Sequence, residues 1–150
     1  MVDAYNFLAS WQLFPEKGTY EFGNRPKSGI FRIELGGTGK QLNISMNWVS
    51  LEDQAFSSQY SVIPNGKEID FDNHEIGDTI FCEFTSQLSF QTKFTKNQKP
   101  TLDVLHEITP KGYLKVVQHH YNEEGEKFTN EEIYHKQLSV LPYSASVSGA

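Results

Sequence analysis

Hydrophobic and polar residues alternate along most of this chain with a period of two, the spacing that sends successive side chains to opposite faces of a β-strand. The clearest instance is residues 113–137, YLKVVQHHYNEEGEKFTNEEIYHKQ, where two alternating runs flank Asn122-Glu123-Glu124-Gly125. Those four residues suit a type I turn that ends on a glycine of positive φ, so the stretch predicts a β-hairpin. With Asn122 opposite Glu126, the partners are His120 with Phe128, Gln118 with Asn130, Val116 with Glu132 and Leu114 with Tyr134, all on one face. That face mixes apolar with hydrogen-bonding groups. A solid core disfavours Gln118, Asn130 and Glu132, because buried polar groups need partners, whereas the wall of a small cavity can use them.

Upstream the alternation is regular from Ser28. Residues 29–35 and 41–49 predict two strands about the glycine-rich turn Gly36-Gly37-Thr38-Gly39, and the second carries Leu42, Ile44, Met46 and Trp48 on one face. Residues 55–63 continue through Phe56, Tyr60 and Val62, and Pro64-Asn65-Gly66-Lys67 predicts another hairpin, into residues 68–71. Strands over 78–86 and 88–94 follow, then a polar turn at 96–100 and a strand over 101–109 with Leu102, Val104, His106 and Ile108 together. At the other end of the chain, residues 2–14 place Tyr5, Leu8, Trp11 and Leu13 or Phe14 at near-helical spacing behind Asp3, a short helix or turn entering a strand. Residues 19–22 alternate as one further short strand.

Roughly nine or ten short strands with tight turns, and no stretch for a crossover helix, predict an all-β, sequential, antiparallel topology. Such a sheet hides its edges most simply by closing into an up-and-down barrel of about 8–10 strands, wide enough for side chains plus one small ligand. A two-sheet sandwich is the competing architecture.

Composition narrows the partners. A chain of 150 residues suits one domain, residues 1–143, with the small polar end, 144–150, as a flexible tail. The net charge of −6 and the scattering of 13 Lys and Arg leave no basic field for nucleic acid. A single cysteine, Cys82, excludes an intrachain disulfide, and no apolar run suggests a signal peptide or membrane span, so a cytoplasmic protein is expected. Cys82 itself lies among Phe81 and Phe84 with no cationic neighbour in sequence, and is expected to be buried and inert.

No metal site is predicted. His119 and His120 point to opposite faces of a strand, and Asp70, Asp72, Asn73 and Glu75 lack the glycine and terminal glutamate of a calcium loop. A Ser-His-Asp elbow, a phosphate-binding glycine loop and a Cys-x-x-Cys are all absent from the sequence, so no catalytic residue and no cofactor is specified.

The early aromatic segment with Trp11, the succession of short antiparallel strands and the closing Glu-Glu-Ile-Tyr-His-Lys resemble the calycins, particularly the intracellular fatty-acid-binding branch, over residues 8–137. The calycin Gly-x-Trp is matched by Ala9-Ser10-Trp11, with Ala in the glycine position, and the resemblance implies that Trp11 plugs the barrel floor. The branch's Arg-x-Tyr on the last strand, which holds a carboxylate, is matched at Tyr134, but Glu132 stands in the arginine position. A carboxylate there repels another carboxylate.

The resemblance implies a ligand-binding barrel without naming the ligand; an intracellular binding protein for a small lipophilic or aromatic molecule is expected, with Arg32, Trp48, His106, Gln118, His120, Asn130, Glu132 and Tyr134 as candidate lining residues. Arg32 is a candidate partner for Glu132 or for an anion. Some calycins are enzymes, which would make Glu132 or His120 a general base and Tyr134 a donor. Others hold haem through one histidine, a role open to His106 or His120. A filled barrel acting through its surface or as a homo-oligomer is the third expectation.

Overall fold

The computed structural model describes residues 4–37, 39–73 and 75–137. Asp3, the predicted cap, and the predicted tail lie outside the described residues. The chain forms β1 (Ala9–Leu13), β2 (Thr19–Tyr20), β3 (Ser28–Leu35), β4 (Leu42–Val49), β5 (Ala55–Val62), β6 (Ile69–Asp70), β7 (Thr79–Ser86), β8 (Ser89–Lys96), β9 (Lys99–Ile108), β10 (Leu114–Tyr121) and β11 (Lys127–Lys136). Short 3-10 turns at Ala4–Phe7 and Pro15–Lys17 are the only helical elements among the described residues. Near-helical spacing at the amino terminus therefore yields one turn and a strand, from which Trp11 and Leu13 point inward while Tyr5 is exposed.

All strand pairs are antiparallel, in the order β5-β4-β3-β1-β11-β10-β9-β8-β7-β6, with β2 set separately against β11. The sheet curls into a half-barrel. The first and last long strands close one side through Trp11↔Lys136 and Leu13↔Tyr134. The free edges are β5 and β6, which do not pair with each other. The expected hairpin at Pro64-Asn65-Gly66-Lys67 thus does not form: the Gly66 N–H donates to the Cys82 carbonyl at 2.8 Å and Asn65 bridges to Glu83, so the loop crosses to β7 and Ile69 pairs with Ile80. Side chains span the seam. Tyr60 of β5 meets the Phe94 ring at 5.5 Å and the Phe71 ring at 6.4 Å, both edge-on.

The polar turn expected over 96–100 is tighter than that. Only Asn97 and Gln98 separate β8 from β9, both with positive φ, and Pro100 sits inside β9 at a register shift opposite Thr95. Positive φ at both central residues gives the turn a twist that matches the strands.

Inward residues fill the middle of the half-barrel. Phe7, Trp11, Phe31, Ile33, Leu42, Ile44, Phe90, Phe94, Leu114 and Val116 are buried, each contributing roughly 1.5–3 kcal/mol if its side chain is fully removed from water. At the floor, the Trp11 indole donates to the Phe7 carbonyl at 3.0 Å, and the Lys136 ammonium lies 5.6 Å from its ring centre. The 3-10 turn drops Phe7 edge-on against Phe90 at 4.9 Å, closing this end with aromatic rings.

Candidate functional site

The β10–β11 hairpin has the expected register. Leu114↔Tyr134, Val116↔Glu132, Gln118↔Asn130 and His120↔Phe128 are paired, and Asn122 meets Glu126 across a turn whose Gly125 has φ of 80°. Alternation then sends Asn130, Glu132 and Tyr134 into the half-barrel and His119 outward, where its ring bonds Thr129 at 2.9 Å.

Glu132 is 3% exposed and sits between two tyrosines. The Tyr134 hydroxyl donates to one carboxyl oxygen at 2.9 Å, and the Tyr20 hydroxyl of β2 donates to the other at 2.7 Å. Burial raises the Glu132 pKa above the ordinary carboxyl value, and the two tyrosine hydrogen bonds pull the other way. Both hydroxyls are correspondingly held above the ordinary phenol value, by burial first and then by the neighbouring Glu132 charge. The Trp48 indole is hydrogen-bonded to Tyr134 and offsets part of that rise. Tyr20, Glu132, Tyr134 and Trp48 are therefore one connected set.

Asn130 has a different task. Its carbonyl oxygen accepts the Glu21 and Phe22 N–H groups at 2.9 and 3.0 Å, while its amide donates to the Phe22 carbonyl at 2.9 Å. It pins the segment after β2 across the barrel end. Phe22 lies flat over His120 at 4.4 Å, and His120 contacts Gln118 at 3.4 Å. Burial, then the adjacent His119, lowers the His120 pKa.

Trp48 also faces open space. With Asn24, Arg25, Leu51 and Phe56 it lines a cavity of about 320 Å³ at this end, and with Gly29, Val49 and Phe56 a second one of about 460 Å³. A larger groove of about 720 Å³ lies at the other end of β4, among Leu35, Leu42, Ile63 and Phe84. No Cβ fits comfortably at Gly29, since it would stand 3.0 Å from the Trp48 ring.

Two predicted residues lie elsewhere. Arg32 is exposed on the outer face of β3, where its Nε donates to Ser10 Oγ at 3.0 Å, so it does not meet Glu132. One residue of strand phase decides this. His106 points inward from β9 but sits deeper, fully buried between Phe90 and Phe31. Sequence reasoning missed Tyr20 and Arg25: the alternation at residues 19–22 marks a strand, but nothing local says that it lies on β11.

No family model and no curated protein matches this sequence. Among solved structures, a protein of unknown function from the DUF3598 family of Nostoc punctiforme is similar at a TM-score of 0.59 and 15% identity, covering 91% of this chain and 50% of that one. The chain thus spans half the length of that relative. A redesigned β-barrel aligns over 91% of this chain and 95% of its own at 11% identity and a TM-score of 0.49. At 15% identity the likeness to the DUF3598 protein concerns the fold, an antiparallel barrel-like sheet.

Proposed function

We propose that this chain is a calycin-like binding protein for one small lipophilic or aromatic molecule, taken up at the end of the half-barrel where Trp48 and Phe56 stand. The observation that carries this reading is the cavity of about 320 Å³ whose aromatic wall, Trp48, is hydrogen-bonded through Tyr134 to the buried Glu132. The recess sets the apolar Trp48, Leu51 and Phe56 beside polar side chains such as Asn24 and Gln54, which can orient a bound molecule. Arg25 and Glu52 at the rim supply polar contacts of either sign. A carboxylate held deep in the barrel is disfavoured, because Glu132 occupies the inner position and Arg32 faces away.

Native mass spectrometry of the protein as purified, followed by fluorescence titration with the neutral dye Nile red, tests this. One dye should bind per chain, and Trp48→Ala and Phe56→Ala should each weaken binding by about tenfold. Equal affinity in both variants, or no bound dye, overturns the assignment.

The raised pKa of Glu132 favours a second reading, an acid-base enzyme with Glu132 as proton acceptor and Tyr134 as donor. For an enzyme, Glu132→Gln abolishes turnover while leaving Nile red affinity unchanged; for a binding protein there is no turnover to lose.

A further inference from the structure

His106 is the buried side chain among the described residues that has no hydrogen-bond partner at either ring nitrogen. It projects inward from the middle of β9, with Phe90 and Val116 as its cross-strand neighbours. The Phe90 ring lies flat against it at 4.4 Å, and Phe31 stands at 5.3 Å. These three neighbours are all apolar, so leucine or phenylalanine would suit the position better than a group with two unmet polar atoms. A polar residue placed where it weakens the core fits a site that trades stability for binding.

The position is connected to the mouth. Phe31 also packs edge-on against Tyr134 at 5.4 Å, and Tyr134 is bonded to Trp48. Tyr134 and Phe31 thus fill the space between the mouth and His106, and binding at the imidazole requires Phe31 to move aside.

We infer that His106 is the inner anchor of the bound molecule, and that this molecule carries a neutral hydroxyl, as in a phenol or alcohol, which hydrogen-bonds to the imidazole. The inference rests on the binding function proposed above and adds the chemistry of the ligand. A neutral imidazole offers one donor and one acceptor nitrogen, and a hydroxyl matches either. Burial holds the ring in that neutral form, with its pKa pushed down to about 3, so the ring supplies no positive charge to balance a buried carboxylate.

The test compares 2-naphthol, its methyl ether and 2-naphthoate, with Nile red as the measure of the site as a whole. Wild-type protein should bind 2-naphthol about tenfold more tightly than the ether or the carboxylate, because a site built for an O–H rejects the analogue without it. Ring ¹⁵N resonances of His106 should shift on adding 2-naphthol. His106→Phe should lose the preference and keep Nile red, while His106→Gln, with a donor and an acceptor, should recover part of it. Equal binding of naphthol and ether, unmoved His106 resonances, or a preference surviving in His106→Phe overturns the anchor while bound Nile red leaves the site standing. Failure of every probe to bind removes both.

Discussion

Tyr20 and Glu132, 112 residues apart in the chain, are joined by a 2.7 Å hydrogen bond at the end of the half-barrel. That bond ties a two-residue strand to the last strand of the sheet. It also gives a buried carboxyl its second donor, and so makes the segment after β2 part of the polar cluster.

Glu132 should make stability depend on pH. Its folded pKa is raised, so the favourable protonated form is fully present below the ordinary carboxyl pKa of 4.5 and is lost as pH rises through the folded value. Unfolding midpoints of the wild type and Glu132→Gln, measured from pH 4 upward, should diverge, with the wild type losing ground to the variant as pH rises. Parallel curves would show that Glu132 titrates alike in both states.

His106 should act in the opposite sense. Its folded pKa lies at about 3 against 6.5 for a free imidazole, so the unfolded chain takes up the proton first and stability falls as pH drops below 6.5. The loss approaches about 1.4 kcal/mol per pH unit within that window. His106→Leu should abolish it and raise stability at pH 7 by about 1 kcal/mol, because it removes unpaired polar atoms. Denaturant titrations at pH 7 and pH 5 decide the matter.

Asn130→Ala should release the segment that crosses the barrel end. Three hydrogen bonds to the Glu21 and Phe22 backbone disappear, an expected loss on the order of 1–3 kcal/mol. Amide exchange at Phe22 should quicken, while the Glu21 N–H keeps the Thr129 carbonyl as an acceptor at 3.2 Å and the amides of β8 and β9 stay slow. Unchanged exchange at Phe22 would contradict the pinning role.

Cys82 should resist labelling. It is 2% exposed, accepts a hydrogen bond from Thr92 at 3.6 Å, and burial pushes its thiol pKa up to about 11. A thiol reagent at pH 8 should react with folded protein only at the rate of opening, and at once in denaturant. Fast labelling of the folded protein would place the thiol outside the core.

Much of this architecture was legible because strand alternation and turn chemistry are local. Residues 113–137 specified both the turn at Gly125 and the pairing of Val116 with Glu132, since one slip would have turned Leu114 and Tyr134 outward together. Inward placement of Glu132, Tyr134, His106 and Trp48 followed from the same period. Arg32 shows its limit: charge suggested a partner for Glu132, while its strand phase puts it on the outer face.

By itself, then, the sequence determined the strands, their faces and the register of the closing hairpin, because each depends on residues within a few positions of one another. Only the tertiary structure decided that the sheet parts between β5 and β6, that Tyr20 reaches Glu132, and that His106 meets no polar neighbour. Those outcomes depend on which distant strands the curled sheet brings side by side. That placement follows from packing the whole set of buried rings at once, and no local spacing encodes it.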